Sequence, residues 1–223
     1  MRTFEEIDLF LFDLDGLLVD TERLHWKAYQ QMCQTFGFAL GWDYPTYLHV
    51  AGGSAHGIHT RIQQEIPQLF HGRTWEELYA MKKEKFFELL ISYPIPLMPG
   101  AELCLQHLAT LHKPMVVVTH SPTRFVEMVQ ASHPVFTFIA RWISREMYEA
   151  PKPAPDGYLM ACKMLKVLPG RTMGFEDTLR GIESLVAAGV YPVLVNANDQ
   201  SARTYCERKG VRVISSLPDL FDS

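Results

Sequence analysis

The stretch that most constrains the fold is residues 7–16, where the apolar run Leu9-Phe10-Leu11-Phe12 ends abruptly in Asp13-Leu14-Asp15-Gly16. A short apolar run bounded by turn signals reads as a strand buried on both faces, the kind found in parallel sheets covered by helices. In open sheets of that type, ligands bind beyond the carboxyl ends of the strands. Asp13 and Asp15 lie at that end. Residues two apart in extended chain point the same way, so the two carboxylates repel unless a cation joins them or one keeps its proton. Gly16 lets the backbone turn sharply and come close to a ligand. Alone, the same residues also describe a solvated turn, so the rest of the chain must supply the partners.

The pattern after this strand comes in two parts. Residues 22–36 place Leu24, Ala28 and Met32 on one stripe, with Tyr29, Cys33 and Phe36 beside it, which is helical spacing closed by Gly37. Thr74 can cap a second long helix with an apolar side of Trp75, Leu78, Tyr79, Phe86, Leu89 and Leu90. Between these helices, Gly52-Gly53 and Pro67 imply shorter ones. No strand signal occurs from residue 22 to 92, and the block ends in the stiff connector Pro94-Ile95-Pro96-Leu97-Met98-Pro99-Gly100.

From Ala101 helices and strands alternate. Strands are expected at 115–119, 136–139, 172–175, 190–195 and 211–214, with helices between them. Such alternation predicts an α/β fold with a doubly wound parallel sheet. The domain expectation is an α/β core of residues 1–19 and 97–223, with an all-helical domain of residues 20–96 inserted.

Composition narrows the function classes. A net charge of −4 gives no support for nucleic-acid binding or attraction to a membrane surface. No apolar run approaches the roughly 20 residues of a membrane span. The acidic start Met1-Arg2-Thr3-Phe4-Glu5-Glu6 does not read as a signal peptide. Cys33, Cys104, Cys162 and Cys206 are too scattered for a metal or disulfide framework, and Cys104 and Cys162 fit buried helical faces. A cytoplasmic protein with no obligatory protein partner is expected.

The remaining polar features fall just past strands or before helices. Thr119-His120-Ser121-Pro122-Thr123 follows Val116-Val117-Val118, and a hydroxyl with free backbone N–H groups there suits a phosphate. An ordinary helix N-cap by Ser121 or Thr123 is the plainer reading. Lys152 sits in Pro151-Lys152-Pro153-Ala154-Pro155, where flanking prolines hold it in extended chain. Glu176-Asp177 ends the strand at 172–175. Acids at a helix start are favoured by the dipole alone, but a second acidic pair that needs a cation makes a metal the better explanation.

Together these segments resemble the four motifs of the haloacid dehalogenase (HAD) superfamily, in order and across nearly the whole chain. Asp13-Leu14-Asp15-Gly16-Leu17-Leu18-Val19-Asp20-Thr21-Glu22 resembles the first motif, Thr119 the second, and the Lys-Pro-x-Pro around Lys152 the third. Gly174-Phe175-Glu176-Asp177-Thr178-Leu179-Arg180-Gly181-Ile182 resembles the fourth, with Thr178 in place of the usual Ser. The resemblance is closest to the branch with a helical cap, which includes sugar-phosphate phosphatases and β-phosphoglucomutase. It implies a HAD-like Rossmannoid core and catalysis by Asp13, Asp15, Thr119 and Lys152. Phosphate or substrate would be bound by Gly16, Thr119, His120, Ser121, Lys152, Thr21 and His25. Mg²⁺ would be held by Asp13, the Asp15 carbonyl and Asp177, with Glu176 a ligand or a partner behind them. With all four acids ionised, one Mg²⁺ and Lys152 leave the pocket at −1.

In that scheme Asp13 forms an aspartyl-phosphate, Asp15 is acid then base, and the helical cap closes to exclude water and read the leaving group. Asp15 argues against two relatives. Haloacid dehalogenases lack an acid at that position, and phosphonoacetaldehyde hydrolases carry Ala there. The expected function is a Mg²⁺-dependent phosphatase of a small phosphorylated metabolite. Alternatives are a β-phosphoglucomutase-like phosphohexomutase and a non-catalytic HAD-like binding protein. Against the mutase, Ala51 and Ala55 around Gly52 occupy the positions where β-phosphoglucomutase carries a Lys and an Arg for the distal phosphate. His49, His56, His59 and Arg61 are further candidates for substrate reading, or a solvated face.

Overall fold

The computed structural model describes residues 3–51, 55–195 and 200–221. The chain forms two compact units, one of Met1–Asp20 with Pro96–Ser223 and one of Thr21–Ile95. In the first unit, β1 (Leu9–Phe12), β2 (Met115–Val118), β3 (Ile139–Ile143), β4 (Thr172–Glu176), β5 (Tyr191–Val195) and β6 (Arg212–Ile214) make one sheet. Their spatial order is β3-β2-β1-β4-β5-β6, and every pairing is parallel. This is the doubly wound α/β architecture expected from the alternating pattern. The chain builds outward from β1 to β3, then returns to the other side of β1 with β4, so the order reverses between β1 and β4. Register aligns the ends there: Phe12 lies opposite Val117 on one side and Phe175 on the other. Asp13, Thr119 and Glu176-Asp177 therefore leave the sheet along one edge.

All four residues of β1 and all four of β2 are fully or almost fully buried, as an apolar run without alternation requires. Phe12 stacks on Phe175 at 4.9 Å, and each such side chain contributes about 1.5–3 kcal/mol by leaving water. The core-unit helices are α5 (Ala101–Ala109), α6 (Thr123–Ser132), α7 (Asp156–Leu165), α8 (Leu179–Ala188) and α9 (Gln200–Lys209), numbered after the four helices of the other unit. Tyr158, Ala161 and Cys162 of α7 and Ile182 and Leu185 of α8 pack with Leu9, Leu11, Val116 and Val118. All four cysteines are free and buried.

The strand expected at 136–139 is displaced. Pro134–Phe138 forms a 3-10 turn, and β3 runs through Ile139–Ile143 instead. As the edge strand it exposes Ala140 and Arg141, so its residues lack the unbroken apolar run that marks the inner strands.

The second unit contains α1 (Glu22–Thr35), α2 (Tyr44–Ala51), α3 (Ala55–Glu65) and α4 (Trp75–Ser92). Helix α4 starts in a capping box: Thr74 Oγ1 accepts from the Glu77 N–H at 3.2 Å and the Glu77 carboxylate accepts from the Thr74 N–H at 2.8 Å. The core of this unit gathers Tyr29, Met32, Cys33, Trp42, Ile62, Leu69 and Leu78. In the first unit the two chain passages that lead to this one are tied together. Asp20 N–H donates to the Pro96 carbonyl and Met98 N–H to the Leu18 carbonyl, both at 2.9 Å. Among the described residues, no helix is long and apolar enough to cross a membrane.

Candidate active site

The site grows from the end of β1. The Asp13 N–H still donates to the Phe175 carbonyl at 3.1 Å, so the carboxylate begins where the sheet stops. Three residues on, Gly16 has φ +83°, and a Cβ built there would lie 2.3 Å from Asp177 Oδ2. Only glycine combines that backbone with so close an approach. Gly16 thereby lets the carboxylate after β4 come up against the loop after β1.

Lys152 is the hub. The expected extended segment is a turn, closed by Ala154 N–H to the Pro151 carbonyl at 2.9 Å, with a cis Lys152–Pro153 peptide. Arg180 Nη2 donates to the Lys152 carbonyl. The ammonium donates to Asp13 Oδ1, to Glu176 Oε1 at 2.6 Å and to the Val118 carbonyl at 3.0 Å. An ammonium has three donors, and all three are used. Tyr158 also donates its hydroxyl to Glu176 Oε1. Glu176 is buried against the first turn of α8, where a Cβ on Gly181 would sit 1.9 Å from its carboxyl carbon.

These contacts set the electrostatics. Burial pushes the Asp13 carboxyl up to about 7, opposed by Lys152 and helped by the Glu176 charge. Burial, then the charges of Asp13 and Glu176, hold Asp177 well above the usual carboxylate range. Burial works against the Lys152 charge, but Asp13 and Glu176 outweigh it and keep the lysine protonated. One lysine is thus too little positive charge for the carboxylates around it. Carboxylate oxygens of Asp13, Glu176 and Asp177 come within 4.8 Å of one another, an all-oxygen set suited to a hard divalent cation such as Mg²⁺.

On the β2 side, Thr119 is buried, and its hydroxyl accepts from the Ser121 N–H at 3.0 Å. Helix α6 receives no side-chain cap from Ser121 or Thr123. Ser121 Oγ donates instead to Asp15 Oδ2 at 2.6 Å, which steadies that carboxylate. Asp13, Asp15, Thr119, His120, Lys152 and Arg180 line a cavity of about 240 Å³ together with Glu176 and Asp177. His120 is exposed, and burial followed by Arg145, Arg180 and Lys152 lowers its pKa.

The other candidates belong to the helical unit. Thr21 is buried at the start of α1. The His25 ring stacks on Phe86 at 4.0 Å, and Lys82 Nζ lies 2.7 Å from its Nδ1. Burial, then Lys82, holds His25 well below its ordinary pKa, so the ring is neutral and accepts at Nδ1. His59 stacks on Trp75 at 4.6 Å, Arg61 pairs with Glu65, and His49 is exposed. Gly52-Gly53 and the His56 side chain lie outside the described residues.

A family model described as haloacid dehalogenase-like hydrolase matches residues 7–189, which spans every element of this cluster. The chain belongs to the haloacid dehalogenase-like hydrolases. It is an enzyme of that family, whose relatives of this chain include named phosphatases. A protein named "Probable pseudouridine-5′-phosphatase" from Drosophila melanogaster is 32% identical over 205 residues, covering 87% of this chain and 84% of that one. Protein CbbY from Rhodobacter capsulatus is 28% identical over 198 residues, 85% of each chain. Among solved structures, CbbY from Rhodobacter sphaeroides in complex with xylulose-1,5-bisphosphate superposes with a TM-score of 0.71 at 23% identity, over 96% of each chain. That likeness establishes the fold.

Three residues of this HAD-like chain escaped the sequence reading. Tyr158 reads as one more apolar position of α7, yet its hydroxyl serves Glu176. Arg180 stands in the fourth-motif segment, where the resemblance assigns it no role. Lys82 lies on the Leu78-Lys82-Phe86 stripe of α4, and that spacing of four was the available signal.

Proposed function

We propose that this HAD-like hydrolase is a Mg²⁺-dependent phosphatase of a small phosphate monoester, a sugar phosphate or similar metabolite, acting through an aspartyl-phosphate on Asp13. The observation that carries the proposal is the buried Asp13–Lys152–Glu176 array with Asp177 beside it, at the carboxyl edge of β1 and β4. Asp13 and Asp177 are the residues to hold Mg²⁺, with the Asp15 carbonyl by family resemblance. Glu176, whose Oε1 is taken by Lys152 and Tyr158, stands behind them. The ion supplies charge neutralisation at the phosphoryl oxygens, where most of the catalysis of phosphoryl transfer resides.

In the first step an Asp13 oxygen bonds to phosphorus as the bond to the leaving alcohol breaks, and protonated Asp15 gives that alcohol its proton. In the second step Asp15 takes a proton from water. The water oxygen bonds to phosphorus, the Asp13–phosphorus bond breaks, and orthophosphate leaves. Lys152 keeps Asp13 oriented throughout, and Ser121 keeps Asp15 oriented. Thr119 and its neighbouring backbone amides suit the equatorial oxygens. Water is the preferred acceptor over a sugar hydroxyl, because Ala51 and Ala55 leave the mutase's distal-phosphate cations missing. The cavity of about 240 Å³ is lined by the groups that would meet the phosphoryl head. Four free, buried thiols suit a reducing cytoplasm.

The test is phosphate release from p-nitrophenyl phosphate and from a panel of sugar phosphates, nucleoside monophosphates and phosphoglycolate. Release should require Mg²⁺ and stop in EDTA. Full activity in metal-free buffer, or isomerisation of a sugar phosphate without phosphate release, would sink the proposal.

A further inference from the structure

The lysine expected to grip the substrate's phosphoryl group has its three donors committed to Asp13, Glu176 and the Val118 carbonyl. A further cationic donor on this cavity would add to what a phosphoryl group meets there. Arg180 lines the same cavity as Asp13, Thr119 and Lys152. Among the described residues one of its nitrogens, Nη2, is engaged, on the Lys152 carbonyl. A guanidinium carries five donors in a fixed fork that matches phosphate oxygens, so most of that fork remains for a ligand. Its anchor on the Lys152 carbonyl already orders the side chain, which lowers the entropy lost on binding.

The position of Arg180 in the chain supports the same conclusion. It is the second residue of α8, where the helix dipole disfavours a cation and favours an anion. Nothing in the helix rewards an arginine there, whereas a phosphate held at that end would. His120 lines the same cavity as Arg180.

We infer that Arg180 is a second phosphate-directed cation of this site, donating from its free fork to a non-bridging phosphoryl oxygen. The inference rests on the phosphatase reading for its ligand, and it gives a role to a residue to which the resemblance assigns none. With Asp15 protonated, Mg²⁺ and Lys152 balance the charges of Asp13, Glu176 and Asp177, and Arg180 leaves the pocket at +1 for a dianionic phosphate.

The experiment measures orthophosphate binding to the Mg²⁺-loaded protein by calorimetry, alongside p-nitrophenyl phosphate hydrolysis, in wild type, Arg180→Gln and Arg180→Met. Both variants should bind orthophosphate about ten-fold or more weakly, the loss expected for a charged hydrogen bond, and should show a raised KM. A role confined to clamping the Lys152 loop would instead lower kcat and the melting temperature at unchanged orthophosphate affinity. Orthophosphate affinity within two-fold of wild type in either folded variant overturns the inference, as does a wild type that binds no orthophosphate. A wild type that binds orthophosphate through Arg180 but hydrolyses no ester would leave the inference standing and remove the phosphatase reading.

Discussion

Each unit of this enzyme buries a lysine, and the two are held in opposite ways. In the core unit, Lys152 sits between the carboxylates of Asp13 and Glu176, which keep it charged despite its burial. In the helical unit, Lys82 is 4% exposed and meets rings: His25 at its ammonium, Tyr29 at 4.7 Å and Phe86 at 5.4 Å. Burial lowers its pKa to about 8, with Glu22 opposing and Lys83 assisting. Ring faces and an imidazole replace part of the lost hydration, but they do not return a full charge. A buried lysine flanked by carboxylates is a fixed cation. One flanked by rings is a group near its titration point.

The core side of this contrast breaks most completely at Asp13. Asp13→Asn removes the nucleophile, since an amide cannot form the acyl phosphate, and turnover should fall by at least about three orders of magnitude. The fold should survive, because the amide has similar size and Lys152 keeps Glu176 as its counter-ion. Phosphate release and thermal melting measured together check this. Near-wild-type release would remove Asp13 from the mechanism.

The contrast also explains what the sequence could reveal. Asp13, Thr119 and Glu176 each follow an apolar strand directly, so a local pattern locates them, and parallel register brings them to one edge. Lys82 and Lys83 are adjacent and chemically identical, and only the rotational phase of α4 decides which is buried. Ser121 looked like a phosphate ligand or a cap because its partner, Asp15, is 106 residues away. The Lys152 turn misled for a similar reason: the hydrogen bond from Arg180 that pins it comes from α8. Strand β3 was misplaced because an edge strand lacks the burial that writes an apolar run. Short-range signals were legible, and contacts closed by tertiary packing were not.

The two units should also respond to pH with opposite slopes. In the metal-free protein Asp13 titrates near 7 when folded and near 4 when unfolded. Its contribution is full below about pH 4 and is lost as pH rises to 7, on the order of a few kcal/mol. Mg²⁺ should reverse this loss, protecting the core unit more at pH 8 than at pH 5. In the helical unit the sign is opposite. His25, lowered when folded, costs stability as pH falls below about 6.5, where the unfolded ring takes up a proton first. Lys82 titrates near 8 folded and about 10.4 unfolded, so the unfolded chain binds more protons in between and stability rises across that interval. Hydrogen exchange resolved by segment, from pH 5 to 10 with and without Mg²⁺, reads both units at once. Parallel slopes in the two units would erase the distinction between the lysines.

The smallest effect belongs to Lys82 itself. Lys82→Met keeps the length of the side chain and replaces an ammonium that burial already disfavours. Removing a buried charge in favour of an apolar group of similar volume is often neutral or stabilising. Methionine also packs well against the rings of Tyr29 and Phe86. The loss of the contact to His25 Nδ1 works the other way, because the imidazole nitrogen then needs a new donor. The two terms are similar in size, so stability at pH 7 should change by no more than about 1 kcal/mol. The rise between pH 8 and 10 should vanish, because the group that titrates there is gone. Thermal melting of the variant across that interval distinguishes the outcomes. A loss of several kcal/mol at pH 7, with the alkaline rise intact, would mean that Lys82 is held as firmly as Lys152 and that the two burials are of one kind.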